Sequence, residues 1–128
     1  MEDPTPREMT ILRMLWEIGP GSVKDVHRAL LGDERIGKEL AYNTVQTMLR
    51  IMEEKRLVRH RVEGRTFIYT ATYSRDESAR SYLDRVFDGA ASQLVLSLLR
   101  AESIPSDELE RMHAMIADAR RDRTEGQM

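Results

Sequence analysis

The feature that most constrains this chain is the stretch from Ala41 to Arg61, AYNTVQTMLRIMEEKRLVRHR. Val45, Met48, Leu49 and Met52 fall at i, i+3, i+4 and i+7, which predicts one continuous apolar stripe along a helix. Asn43, Gln46, Thr47 and Arg50 repeat that spacing on the opposite face. A helix face that only meets water favours residues such as Glu, Lys and Ala, and Asn43 and Thr47 are poor stabilisers of one. Amide, hydroxyl and guanidinium groups instead match the donor and acceptor edges that bases present in the major groove. An ordinary amphipathic helix with a mixed polar face is the competing explanation, so the flanking sequence has to decide.

Upstream, Thr5-Pro6-Arg7-Glu8 is a helix start: a capping threonine, a proline at the first helical position, and a glutamate able to reach back to the cap. Met9, Leu12, Leu15 and Trp16 then recur at helical spacing until Gly19-Pro20-Gly21 stops the helix. Ser22 caps a second helix with Val23, Val26, Ala29 and Leu30 inside. Gly32 to Lys38 reads as a loop and nearly matches a phosphate-binding loop. Glu39 stands where a Ser or Thr would hold magnesium, and a helix rather than a strand precedes it, which argues against that reading.

Downstream, Leu57 to Val62 alternates apolar and polar residues, with the basic ones expected to face outward as in a strand. Glu63-Gly64 predicts a turn, and Arg65 to Thr70 a returning strand. Two helices, a third with a polar outer face and a basic hairpin make a winged helix-turn-helix. In this reading Asn43, Gln46, Thr47 and Arg50 contact bases. Arg65 at the hairpin tip, with Arg59 and Arg61 alongside, reaches phosphates.

Charge supports the same division. Between Ala41 and Tyr73 six Lys and Arg residues face three acids, a net of +3; from Ser74 onward eight face eleven, a net of −3. The overall charge of −2 hides this asymmetry.

A second capping box, Ser74-Arg75-Asp76-Glu77, opens the remaining chain. Helices are expected through Tyr82, Leu83, Val86 and Phe87 to Asp88-Gly89, then over Ala90–Ala101 with Leu94, Val95, Leu98 and Leu99 on one side. A last one, after Ile104-Pro105-Ser106, is striped by Leu109, Met112, Met115 and Ile116. From Arg120 apolar periodicity is lost and the end is expected to fray. About fifty residues bury such stripes poorly alone. A two-fold axis would let one stripe meet its copy, with Leu83, Phe87, Leu94, Leu98, Leu109, Met112 and Ile116 as dimerisation residues. Packing back on the first domain is the alternative.

The fold class is therefore mainly α with a small β-hairpin: a winged-helix DNA-binding domain over residues 1–73 and a three-helix dimerisation domain over 74–128. Zero cysteines remove disulfides, thiolate metal sites and thiol nucleophiles. His27, His60 and His113 fall on three elements without metal-ligand spacing. Asp33-Glu34, Glu53-Glu54 and Asp76-Glu77 are adjacent in sequence and default to solvation, and the eight methionines read as core filler. No nucleophile–base pair stands out, so neither an enzyme nor a cofactor is expected. No apolar run approaches a membrane span and the N-terminus has no leader pattern, so a soluble cytoplasmic protein is expected.

The blocks MTILRMLWEIGPGSVKDVHRAL, AYNTVQTMLRIMEEKRLVRH, GRTFIYTATYSRDES, VFDGAASQLVLSLL and PSDELERM, in that order, resemble the BlaI/MecI penicillinase-repressor family from Met9 to Ile116. The resemblance implies a transcriptional repressor that holds a two-fold double-stranded DNA operator as a homodimer. It carries DNA contacts onto Asn43, Thr44, Gln46, Thr47 and Arg50, with Thr44 near the helix start expected on phosphate. In its proteolytically induced members a membrane sensor protease cuts an Asn–Phe bond in the second dimerisation helix; the matching bond here is Ser97-Leu98, a departure from that pattern. Copper-responsive relatives carry a C-terminal cysteine cluster that this chain lacks. Two other classes stay open: a winged-helix regulator switched by a small apolar ligand between the dimerisation helices, and a winged helix used as a protein-interaction module. The polar, aromatic-free face of Asn43 to Arg50 argues against the second.

Overall fold

A computed structural model describes residues 3–33 and 40–126. Its elements run α1 (Pro6–Ile18), α2 (Val23–Leu31), α3 (Tyr42–Glu54), β1 (Val58–Glu63), β2 (Thr66–Ala71), α4 (Arg75–Phe87), α5 (Ala91–Arg100) and α6 (Ser106–Gly126). The chain forms two compact units, Met1–Ser81 and Tyr82–Met128. Most of the stretch that resembles a phosphate-binding loop, residues 34–39, lies outside the described residues.

In the first unit the caps set the helix starts. Thr5 Oγ1 accepts from the Glu8 N–H at 3.2 Å while Glu8 Oε1 accepts from the Thr5 N–H at 2.9 Å. Ser22 and Asp25 repeat the exchange for α2 at 3.1 and 3.0 Å. Each box satisfies two backbone donors that a helix start otherwise leaves unpaired. Asp25 was not legible as a cap partner from apolar spacing alone. Gly19 ends α1 at φ +79°, a backbone angle that suits glycine.

The core gathers Ile11, Leu12, Met14 and Leu15 of α1, Val23, Val26 and Leu30 of α2, and Val45, Leu49 and Met52 of α3, closed by Leu57, Val58, Tyr69 and Tyr73. In α1 the inward face is rotated from the expected one. Ile11 and Met14 are buried, while Met9 and Trp16 pack only partly against the core. The Trp16 indole N–H instead donates to the Tyr73 carbonyl at 3.0 Å, with the Arg75 guanidinium 5.3 Å from its ring.

The end of α3 aims the hairpin. Arg56 adopts φ +66°, its N–H bonds the Glu53 carbonyl at 3.0 Å, and the Leu57 N–H bonds the Met52 carbonyl at 2.9 Å. This is a Schellman closure with arginine in the left-handed position usually given to glycine. It turns the chain so that Leu57 enters the core directly against the end of α3.

The hairpin is shifted by one residue from expectation. Its turn is Gly64-Arg65 rather than Glu63-Gly64, Glu63 pairs with Thr66, and Gly64 takes φ +62°. Gly64 alone takes the positive φ, as the first position of a type II′ turn does, so both strands begin and end one residue later. Apolar alternation also fails at the tip, where Val62 is 58% exposed because the hairpin projects past the core.

In the second unit α5 keeps the expected position within a residue. The α6 helix continues through Arg120 to Gly126, where loss of periodicity predicts an irregular end. Arginine and glutamate are good helix formers without an apolar face. An Asp118–Arg121 ion pair and the Thr124 hydroxyl on the Arg120 carbonyl follow the helical spacing there. Among the described residues, no side chain of α4, α5 or α6 is buried.

Candidate nucleic-acid interface

The apolar stripe of α3 holds the helix down: Val45, Leu49 and Met52 are wholly buried, and Met48 packs partly. The same periodicity turns Asn43, Gln46, Thr47 and Arg50 outward, and all four are exposed. Among the described residues, none of these four side chains makes a hydrogen bond or an ion pair. Thr44 is half-buried in the first turn. That turn starts at Ala41, which offers no side-chain acceptor, so its N–H groups receive no cap.

Beside this face lies a groove of about 650 Å³. Gln46 and Arg50 of α3, Lys24 and Tyr42 near the helix starts, and Arg65, Thr66 and Phe67 of the hairpin are among its walls. The structure therefore brings together three of the expected residues, Gln46, Arg50 and Arg65. Asn43 and Thr47 share the α3 face without lining the groove.

Arg59 and Arg61 are placed differently. Side chains alternate across a strand, and His60 between them turns toward α3, so both arginines occupy the opposite face of the hairpin. Arg61 also donates to Glu63 Oε1, from Nε at 3.2 Å and Nη2 at 2.9 Å, which offsets its charge locally. Apolar–polar alternation separates the two faces in sequence but does not say which one meets α3.

Lys24, Tyr42 and Phe67 went unrecognised. Lys24 had a signal, a base in the first turn after the Ser22 cap. Tyr42 had only its place beside Asn43, and its ring packs edge-on to His27 at 5.8 Å. Phe67, within the returning strand, is 46% exposed.

Glu53 was expected to be solvated. Its carboxylate instead accepts from the His60 backbone N–H at 2.9 Å and lies 2.6 and 2.7 Å from His60 Nδ1. Below it, burial and the nearby Glu53 charge push the Tyr69 hydroxyl up, with Arg50 opposing them in part. The phenol therefore stays neutral beneath the groove.

The residues expected at a dimer contact present a different surface. Leu83, Phe87, Leu94 and Met112 are half-buried, while Leu98, Leu109 and Ile116 are exposed. Tyr82, Val86, Leu99 and Met115 are exposed beside them, Met115 by 65%. Ser97 and Leu98 lie inside α5, both exposed.

Comparison with known proteins places this architecture. A penicillinase repressor of Bacillus licheniformis is 22% identical over 115 residues, covering 87% of each chain. Among solved structures, the chain of the hsRosR-S4 complex is similar with a TM-score of 0.52 and 24% identity, over 94% of this chain and 93% of that one. A MarR family protein from Bacillus stearothermophilus reaches 0.50 at 17% identity, over 96% and 77%. These two likenesses show the winged-helix fold. The family described as penicillinase repressor matches residues 4–118. The chain belongs to the penicillinase repressor family, a family of transcriptional repressors and not of enzymes.

Proposed function

We propose that this protein is a sequence-specific transcriptional repressor that holds a two-fold DNA operator as a homodimer. The α3 helix enters the major groove, where Asn43, Gln46, Thr47 and Arg50 read base edges. Thr44 at the helix start and Arg65 at the hairpin tip hold phosphates beside that face, while Arg59 and Arg61, on the other side of the hairpin, meet phosphates outside the groove. The observation that carries this reading is the α3 face itself: four exposed polar side chains, free of hydrogen bonds and ion pairs among the described residues, opposite three wholly buried apolar ones. Groups that make no such bond within the fold keep their donors and acceptors for bases. Arg65 from the hairpin and Lys24 from α2 add positive charge to the same groove.

The dimer rests on the second unit. Helices that bury no side chain fully, and that leave Leu98, Leu99, Leu109, Met115 and Ile116 exposed, need a partner, and a second copy supplies a matching face. Two copies would set the reading helices about one DNA turn apart. Cutting at Ser97–Leu98 by a membrane sensor protease would release the operator by splitting this pairing. The bond sits within a helix, so cleavage requires that turn of α5 to open first. The repressor acts in the cytoplasm with no membrane insertion of its own; among the described residues no helix is long and apolar enough to cross a membrane.

Selection of bound sequences from a random duplex pool, at near-physiological salt, tests the whole reading. A two-fold motif with half-sites about one helical turn apart is expected. Unrelated sequences whose binding disappears as salt rises would reduce the interaction to phosphate attraction and overturn it.

A further inference from the structure

The hairpin is tied firmly at its root. Tyr69 exchanges backbone hydrogen bonds with Gly21 at 2.8 and 3.0 Å, and the Thr72 N–H and hydroxyl reach the carbonyls of Leu57 and Arg56 at 2.9 and 2.8 Å. The tip is different: every residue from Arg61 to Phe67 is exposed, including Arg65. A three-residue relay bridges root and tip. Glu53, in the last turn of α3, accepts from the His60 backbone N–H and faces His60 Nδ1 with both oxygens, at 2.6 and 2.7 Å. An ionised carboxylate only accepts, so the ring proton sits on Nδ1 and points at Glu53. The other side of the relay is the Phe67 ring, stacked on His60 with centroids 4.0 Å apart and planes within 9°. Phe67 stands two residues beyond Arg65.

We propose that Glu53, His60 and Phe67 form a positioning relay that sets the angle of the hairpin tip against α3, and so places Arg65 beside the reading face. His60 acts through Arg65, and Glu53, which also lines the groove, acts by holding His60. The inference rests on the DNA-binding reading above. Both Glu53 and His60 are part-exposed, and a polar contact open to water adds little to global stability. Removing it should therefore leave the fold intact and change where the tip points.

The test uses the full chain, with a duplex carrying the selected site and a scrambled duplex of equal length. Four proteins are compared with the wild type: His60→Ala, Glu53→Ala, Arg65→Ala and the double variant His60→Ala/Arg65→Ala. Arg65→Ala should weaken both duplexes several-fold and make the salt dependence shallower by about one unit. His60→Ala and Glu53→Ala should do the same with base preference retained, and the double variant should be no worse than Arg65→Ala alone. Losses that add in the double variant, or an unchanged salt slope in His60→Ala, would overturn the relay.

Amide hydrogen exchange without DNA gives an independent reading. Hairpin amides from Arg61 to Phe67 should exchange faster in His60→Ala and Glu53→Ala, while those of Val45 to Met52 stay protected. Unchanged hairpin exchange would overturn the relay even if DNA binding holds. Faster exchange in a protein that selects no motif would sink the repressor reading and leave the relay standing.

Discussion

Lys55, which closes α3, places its ammonium 3.0 Å from the carboxylate of Glu8 in the first turn of α1, and Glu8 is the buried charged side chain of the first unit among the described residues. One glutamate thus caps its own helix and ties down the end of the reading helix 47 positions away. Burial alone would raise the Glu8 carboxyl. The hydrogen bond from the Thr5 backbone and the Lys55 ammonium outweigh it and hold the group below its ordinary 4.5.

A group lowered on folding contributes stability that is complete above its unfolded value and is lost as pH falls through the folded one. Glu8→Gln should therefore cost stability near neutrality, with the deficit from the wild type shrinking as pH drops below about 4.5. Lys55→Met leaves the carboxylate buried without its cation and should cost about 1–2 kcal/mol at pH 7. Urea midpoints at several pH values, followed by Trp16 fluorescence, check both. A Glu8→Gln deficit that grew toward acid would contradict the sign.

The left-handed backbone of Arg56 predicts a stabilising substitution. A side chain in that conformation is strained by about 1–2 kcal/mol, of which glycine recovers part against its greater unfolded-state freedom. Arg56→Gly should gain roughly 0.5–1 kcal/mol and raise the melting temperature, whereas Arg56→Ala should not. A loss on introducing glycine would mean the arginine side chain contributes a contact of its own.

Base readout by α3 predicts selective losses. Gln46→Ala or Thr47→Ala should each cost about 1–3 kcal/mol on the selected duplex and relax one or two base positions. If repeated selection with Gln46→Ala returned the unaltered motif, the reading face would be wrongly assigned.

Association through the second unit predicts that a charge on its exposed apolar face separates the protomers. Leu98→Glu or Ile116→Glu should shift sedimentation from dimer to monomer and weaken operator binding far more than binding by one half-site. Dimers that persisted in both variants would leave pairing to another surface.

Elements whose cause is local were legible in the chain. The boxes at Thr5–Glu8 and Ser74–Glu77 are both made, the latter with the Glu77 N–H on Ser74 Oγ at 3.0 Å. The α3 stripe faces inward as its spacing demands. What the chain did not show needed a third dimension. The Glu53–His60 contact joins residues on two elements whose relative angle is fixed by Arg56, and no glycine marks that bend. The hairpin faces were separable by alternation, but the side carrying Arg59 and Arg61 depended on which one α3 covers. The run after Arg120 has helix-forming composition, and the missing apolar stripe argues only that the face stays wet.

The division of labour on α3 bears on how such a protein changes its target over evolutionary time. Val45, Leu49 and Met52 carry the packing, while Asn43, Gln46, Thr47 and Arg50 make no hydrogen bond or ion pair among the described residues. Exposed substitutions of that kind usually move stability by less than about 0.5 kcal/mol. New side chains can therefore be sampled at the four reading positions one at a time without unfolding the domain. Operator preference and foldability are encoded on opposite sides of one helix, so the first can drift while the second is held.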